Sequence, residues 1–198
     1  MAEEETEEST LAKRAQAPAN PVDVWHTEHM YFGRLLELLQ REVDVFETGA
    51  RPNYELMLDI ITYLRSYSDR YHHPREDVAF ARLERRCPEL RRTIAMLRLE
   101  HRVIANVGEK LLAQLAAVLD GSIVPRADIE AAASTYLSYY GNHIGREERE
   151  VLTRAAERLT AKDWEEVNAA VPAGADPLLG ADPEKRYREL RRQIALDA

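Results

Sequence analysis

The apolar residues of this chain recur at spacings of three and four along four long stretches, the pattern of amphipathic helices that share a core. The first stretch carries Val22, Trp25, His29, Phe32, Leu36, Leu39, Val43 and Phe46 inward. The second carries Met57, Ile61, Leu64, Ser68, His72, Glu76, Ala79 and Leu83. The third carries Leu90, Ile94, Leu97, His101, Ile104, Gly108, Leu111, Leu115 and Val118, and the fourth Ile129, Ala133, Tyr136, Tyr140, His143, Glu147 and Val151. This pattern predicts an all-α fold built on a four-helix bundle.

Turn-forming residues separate the four stretches. A glycine and an asparagine cap fall within residues 48–53, the chain breaks again at Cys87-Pro88, and residues 120–122 precede Pro125, which suits the first turn of a helix. Such short connections make neighbouring helices antiparallel, so we expect up-down-up-down topology. Pro74 lies inside the second stretch and is expected to bend that helix locally.

The chain divides into three parts. Residues 1–20 are acidic and proline-containing and are predicted to form a disordered N-terminal tail, residues 21–160 form the bundle, and residues 161–198 form a helical extension packed on it. In the extension, Thr160 is expected to cap one short helix and Asp182-Pro183 to open a last one. The apolar positions of these two helices are Trp164, Val167, Tyr187, Leu190 and Ile194.

Six polar residues occupy inward positions of the stripes, where an unpaired polar group is costly to bury. They are the candidate metal ligands His29, His72, Glu76, His101, His143 and Glu147. The midpoints between successive histidines fall at positions 50.5, 86.5 and 122, each in or beside a predicted turn. Residues equidistant from a turn stand at the same height in antiparallel helices. The four histidines are therefore predicted to share one layer, with each glutamate one turn from a histidine.

Each of these features alone has an ordinary explanation. A lone histidine in an apolar stripe is usually a hydrogen-bonded core residue, and a histidine and a glutamate four apart usually form a surface pair. Their combination at matched heights favours two metal ions bridged by Glu76 and Glu147. Nitrogen and carboxylate donors favour iron, ahead of manganese or zinc. The single cysteine, Cys87, excludes thiolate-rich zinc and iron–sulfur sites and fits a reducing compartment.

The two remaining histidines, His26 and His73, are not among the six candidate ligands. His26 lies one turn before His29 and flanks the seam of the first helix. His73 follows His72 directly and so points about 100° away from it on an α-helix. We expect both to be surface groups or neighbours of the ligands, although either could donate if a metal needs another nitrogen.

Composition limits the partners of the chain. Its 198 residues carry a net charge of -8, and the arginines are interleaved with acids, which argues against nucleic-acid binding. The acidic N-terminus is unlike a secretory signal, and no apolar run is long enough to cross a bilayer, so we expect a cytoplasmic protein without a membrane contact. The sequence indicates neither a protein partner nor a choice between monomer and homodimer.

The order of histidine, H-x-x-x-E, histidine and H-x-x-x-E over four helices resembles the hemerythrin-like, or HHE cation-binding, family. The matching segments are Glu28-His29, His72 to Asp77, Glu100-His101 and His143 to Glu148. The resemblance implies a non-haem di-iron centre with an oxo or hydroxo bridge, the four histidines as nitrogen ligands, and bridging Glu76 and Glu147. Oxygen-carrying members have a second histidine one turn after the ligand on the third helix, where this chain has Ala105. They also have a carboxylate five places after the last histidine, whereas the corresponding carboxylate of this chain, Glu147, lies four places after His143.

These departures favour binding or reacting with oxygen, nitric oxide or peroxide, in sensing, scavenging or stress response, over reversible oxygen carriage. Binding is favoured over enzymatic turnover, although peroxide or nitric oxide redox activity stays open. The alternative is an iron-responsive regulatory or iron-handling module without turnover. A dry ligand pocket is expected from Phe32, Gly33, Leu36, Leu97, Ile104 and Ala105. Tyr136, Tyr139 and Tyr140 either pack in the core or donate a hydrogen bond to a bound oxygen species.

Overall fold

The computed structural model describes residues 21–172, 174–178 and 187–196, and within these ranges every regular element is helical. The helices are α1 (Pro21–Glu47), α2 (Tyr54–Tyr67), α3 (His73–Arg86), α4 (Arg91–Leu119), α5 (Arg126–Arg146), α6 (Leu152–Arg158), α7 (Ala161–Ala170) and α8 (Arg188–Leu196). A π-helical turn, Ser68–His72, joins α2 to α3, and a second, Glu147–Val151, joins α5 to α6. The prediction of an all-α fold is confirmed. The predicted tail at 1–20 and the expected helix start at Asp182-Pro183 lie outside the described residues.

The helices form where the apolar pattern predicted them, and their ends carry the expected signals. The Asn53 side chain accepts a hydrogen bond from the backbone N–H of Leu56 at 3.0 Å and so caps α2. Gly49 and Gly121, with φ angles of 78° and 84°, occupy the left-handed region in the turns after α1 and α4. The inward residues of the four stripes are buried, apart from partly exposed Leu90 and Val118 near the ends of the third.

The long helices pack into a helical bundle with two apolar clusters. Helix α1 contacts α2 and α5, and α4 contacts the same two helices. One cluster contains Phe32 and Tyr140 and the other contains Trp25 and Phe80. Rings from both clusters meet the histidine layer, since Phe32 lies 5.0 Å and Trp25 6.2 Å from the His72 ring. The polar layer is therefore enclosed by apolar side chains.

The helices after residue 160 pack against the bundle at two places. Thr160 and Asp163 form a reciprocal capping box at the start of α7, and the Trp164 ring lies 5.3 Å from that of Trp25. Helix α8 contacts α1 and α2, and the Tyr187 ring lies 5.7 Å from that of Tyr63. No helix among the described residues is long and apolar enough to cross a membrane.

The second bundle helix departs from the sequence-based expectation at Pro74. In the π-helical turn before it, the backbone N–H of His73 bonds to the carbonyl of Ser68, five residues earlier. Pro74 then falls in the first turn of α3, where its missing N–H costs little. The wider turn adds one residue to the local period. Positions five apart therefore share a face here, and side chains expected to point outward turn inward.

Candidate metal centre

Four imidazoles from four different helical segments meet in the bundle core as two close pairs. The Nε2 atoms of His29 and His72 are 2.9 Å apart, and those of His101 and His143 are 3.1 Å apart. All four side chains are buried. The structure therefore brings together the four histidines that the turn midpoints placed at one height.

Two glutamates connect the histidine pairs. Glu76 Oε1 lies 3.0 Å from His72 Nε2 and 3.4 Å from His29 Nε2, whereas its Oε2 lies 3.5 Å from His101 Nε2. Glu147 has the same arrangement in reverse. Its Oε1 lies 3.3 Å from His143 Nε2, and its Oε2 lies 3.4 Å from His29 Nε2. Each carboxylate thus presents one oxygen to each histidine pair.

Each of the four histidines also donates its Nδ1–H to a second carboxylate outside the pair. The acceptors are Glu148 for His29 (2.7 Å), Glu28 for His72 (2.6 Å), Asp77 for His101 (3.1 Å) and Glu100 for His143 (3.2 Å). We call these four acceptors the outer carboxylates. A carboxylate can only accept, so in a neutral imidazole Nδ1 carries the proton and Nε2 keeps its lone pair. In the neutral form of each of the four histidines, the Nε2 lone pair is therefore directed at the centre of the site.

The roles of the outer carboxylates were not predicted from the sequence, although a signal was present. Glu28, Asp77, Glu100 and Glu148 each stand next to one of the six candidate ligands in the sequence. Adjacent residues on a helix point about 100° apart, so such a residue cannot reach the same centre directly. It can reach the histidine of the neighbouring helix, and the structure shows this contact four times.

Burial and the surrounding carboxylates shift the ionisation of the site strongly. Burial alone would lower the pKa of His29, but its hydrogen bond to Glu148 and the nearby charges of Glu76 and Glu147 raise it to about 10. The pKa values of His72 and His101 are also raised, against the effect of burial, by the carboxylates they contact. Burial would raise the pKa of Glu76, but His72, His101 and His29 hold it well below its usual range. The cluster as a whole therefore favours added positive charge.

The buried oxygens of Glu76 and Glu147 test whether a metal cation fits. Both side chains are fully buried, and none of their four carboxylate oxygens has a hydrogen-bond donor among the described residues. Buried charges of this kind are costly unless they are paired or bind a metal. Two nitrogens bound to one ion at about 2.1 Å and at right angles would lie about 3 Å apart, close to the observed separations. The donor set fits metal cations.

His73 was expected to be either a surface group or a neighbour of the ligands, and it is a neighbour of the ligands. Its side chain is buried, and its ring stacks on His101 at a centroid distance of 4.3 Å. The surface alternative is wrong because the π-helical turn rotates His73 inward. His26, by contrast, is exposed and hydrogen-bonds to Glu148 at 3.0 Å.

The tyrosines of α5 lie beside this centre without contacting the glutamates. Tyr136 and Tyr140 are fully buried, whereas Tyr139 is exposed. The Tyr140 hydroxyl hydrogen-bonds to Ser68 Oγ at 2.5 Å, and Ser68 Oγ lies 3.2 Å from His73 Nε2. The Tyr136 hydroxyl has no hydrogen-bond partner in the described part of the chain.

Two groups of donor atoms in this centre are compact enough to hold an ion. His29, His72 and Glu76 form one group, and His73, Glu76, His101 and His143 form the other, with ligand atoms within 4.8 Å of one another in each. Fold and site together define a helical bundle protein with a buried histidine and carboxylate cluster whose donors fit metal cations. The sequence matches the hemerythrin HHE cation binding domain over residues 20–155, and the chain belongs to that family. In the same comparisons, no curated protein and no solved structure matches the chain.

Proposed function

We propose that this protein is a non-haem di-iron protein of the hemerythrin-like type, in which the long helices form an up-down-up-down four-helix bundle. The ligands in this proposal are His29, His72, His101, His143, Glu76 and Glu147. The observation that carries it is the position of the two glutamates. Each presents one oxygen to each histidine pair, the arrangement that a carboxylate bridging two cations requires.

Iron is the proposed metal because the donors are nitrogen and carboxylate oxygen without sulfur. Manganese and zinc accept the same donors and rank behind it. When bound, a di-iron centre supplies reversible one-electron chemistry and open coordination positions for small ligands. Dioxygen, nitric oxide and peroxide are the proposed ligands, and they are small enough to reach a site enclosed by apolar side chains.

The protein residues hold, orient and seal this centre. The outer carboxylates fix the tautomer of each histidine and increase its basicity, since they accept the Nδ1–H. Phe32 and Trp25 cover the His29–His72 side, and the Phe80 ring stacks at 6.1 Å on His101. Water is thereby kept from the donor atoms, which strengthens electrostatic interactions within the site.

Sensing or scavenging of such a ligand, with binding rather than turnover, is the function that we infer. A competing enzymatic role is the turnover of peroxide or nitric oxide. Gas-dependent absorption changes without consumption of the ligand would contradict turnover, whereas stoichiometric or catalytic consumption would contradict simple binding. The cytoplasmic location predicted from the sequence belongs to the same proposal.

A second candidate is an iron-responsive regulatory or iron-handling module. It is favoured by the burial of Glu76 and Glu147, since two carboxylates without hydrogen-bond donors link bundle stability to metal occupancy. In that case iron loading itself, and not a gas, would control folding or partner binding. Unchanged helicity and melting temperature after iron removal would contradict this candidate.

The deciding experiment is metal analysis combined with optical spectra. Full-length protein loaded anaerobically with iron(II) is expected to bind two irons and to develop an oxo-type absorption band on exposure to air. Glu147→Gln keeps the shape of the side chain but removes the charge, and it should lower the iron content substantially. Glu150→Gln, at an exposed position in the same turn, is the matched control and should bind iron normally. Equal iron content in both variants would contradict the bridging role.

A further inference from the structure

His73 is a fifth imidazole in the centre, beyond the four that the sequence pattern identified. Its ring stacks on His101 with an interplanar angle of 16° and lies 5.4 Å from the His143 ring. Its side chain is buried, and its position depends on the π-helical turn Ser68–His72. A buried imidazole beside two others is unfavourable as a simple core residue, because each ring needs polar partners for both nitrogens.

The surroundings of His73 resemble those of the other four histidines, although its carboxylate neighbour lies too far for a hydrogen bond. Its Nδ1 lies 3.4 Å from Oδ1 of Asp69, so a carboxylate again faces Nδ1. Its Nε2 lies 3.2 Å from Ser68 Oγ, whose hydroxyl also meets Tyr140. A proton on Nδ1 leaves the Nε2 lone pair to accept from Ser68 or to bind a cation. The side chain is thus prepared chemically as a nitrogen donor.

The two ends of the centre differ in their donors because of His73. One compact group contains His73 with Glu76, His101 and His143, whereas the other has His29 and His72 with Glu76. Beside the first group lies a pocket of about 160 Å³ that opens to the surface, and His73, His101 and Ala105 help to line it. Ala105 stands one turn after His101 on α4 and offers no donor. His73, on the neighbouring helix, lines the same space.

We propose that His73 is an additional nitrogen ligand, through Nε2, to the metal ion on the His101–His143 side. The inference rests on the proposed di-metal function and makes its two metal positions unequal. The ion bound by His101, His143 and His73 has three imidazole donors, and the ion bound by His29 and His72 has two. A π-helical turn in one helix therefore supplies the donor that α4 lacks at position 105.

The unmodified protein gives the first test. Cobalt(II) is substituted for iron, and proton NMR records the hyperfine-shifted, exchangeable imidazole N–H resonances. Each bound histidine contributes one such signal from its Nδ1–H, so a signal from His73 is expected in addition to those of the four other ligands. Only four signals, with the His73 resonance unshifted, would overturn the proposal. This measurement does not depend on whether a variant folds.

Variants give the second test, with iron(II) binding measured by competition against a chelator. His73→Ala is expected to weaken one of the two metal positions at least about tenfold and to leave the other unchanged. The double variant His73→Ala with Ala105→His places an imidazole on α4 facing the same space and is expected to recover at least part of the lost affinity. Arg70→Ala, at an exposed position of the same π-helical turn, is the control and should bind both ions normally.

The outcomes separate this inference from the function on which it rests. Failure of the unmodified protein to bind two metal ions would contradict the di-metal proposal itself. Two ions bound equally well by the unmodified protein and by folded His73→Ala, with identical cobalt spectra, would overturn only the role of His73. Circular dichroism of each variant establishes that it is folded.

Discussion

The Nδ1–H of His72 donates to Oε2 of Glu28 on the neighbouring helix at 2.6 Å. The same relation runs around the whole bundle. Asp77, on the helix of His72, accepts from His101, and Glu100, beside His101, accepts from His143. Glu148 in turn accepts a hydrogen bond from His29 on α1, which closes the set of contacts. Each helix thereby orients the histidine of the next, which makes the geometry of the centre a property of the assembled bundle.

Glu28→Gln tests this closed set of contacts. Burial would raise the pKa of Glu28, but its hydrogen bond to His72 lowers it, so the carboxylate is charged at neutral pH. Glutamine keeps the shape of the side chain but lacks the negative charge that makes His72 a more basic nitrogen ligand for a metal ion. We expect metal affinity to fall by about 10- to 100-fold, measured by chelator competition. Glu37→Gln, at an exposed position of α1, is the control, and equal affinities of the two variants would contradict the orienting role.

Metal removal should destabilise the protein. Without a cation, the oxygens of Glu76 and Glu147 remain buried with only the histidines beside them. Metal at 1,000 times its dissociation constant contributes about 4 kcal/mol to the free energy of unfolding. For a chain of this size, that corresponds to a melting temperature lower by on the order of 10 °C after chelation. Differential scanning calorimetry before and after chelation measures the change, and coincident transitions would show that the centre contributes nothing to stability.

The close packing of α4 on α5 gives a prediction independent of metal. A Cβ atom added at Gly108 would lie 2.9 Å from Cε2 of the buried Tyr136 ring, which is too close. Gly108→Ala is therefore expected to destabilise the protein by about 1–3 kcal/mol, despite the better helix propensity of alanine. Urea denaturation measures the free energy of unfolding.

Gly141→Ala is the matched control for this packing argument. Gly141 lies inside α5, and a Cβ atom there would meet nothing within 4 Å among the described residues. Alanine should therefore stabilise the protein by about 0.5–1 kcal/mol through helix propensity alone. A destabilisation of similar size at both positions would indicate that close contact at Gly108 is not the cause.

The features that follow from local periodicity could be predicted from the sequence. The spacing from Trp25 to Phe46 fixes which face of α1 is buried, and Gly49 and Asn53 mark its turn because their conformations are chemically restricted. The layer of histidines also followed, since turn positions determine heights in antiparallel helices. These inferences need only the geometry of a regular helix and short connections.

The features that depend on irregular backbone and on contacts between helices could not be predicted in the same way. The expected position of His73 was based on the regular rotation of an α-helix, but the π-helical turn before Pro74 inserts an extra residue. Asp77 and Glu148 were visible beside the ligands, yet their partners are histidines on other helices, at particular heights and rotations. Single-helix periodicity carries no information on such contacts. The missed features are therefore concentrated at the site itself.

Two buried tyrosines one turn apart on α5 give a matched pair of predictions on the role of their hydroxyl groups. The Tyr140 hydroxyl bonds to Ser68, so Tyr140→Phe should reduce the free energy of unfolding by about 1 kcal/mol. The Tyr136 hydroxyl has no partner among the described residues, so Tyr136→Phe should be neutral or slightly stabilising, because it removes an unsatisfied buried group.

The same two variants test whether either tyrosine contacts a bound ligand. Neither hydroxyl reaches the glutamates, so both variants should bind the normal amount of iron and give the absorption spectrum of the unmodified protein with nitric oxide. Denaturation curves and spectra are recorded on the same samples. A spectral change in Tyr136→Phe alone would show that its unpaired hydroxyl donates to the ligand, and it would replace the packing role with a functional one.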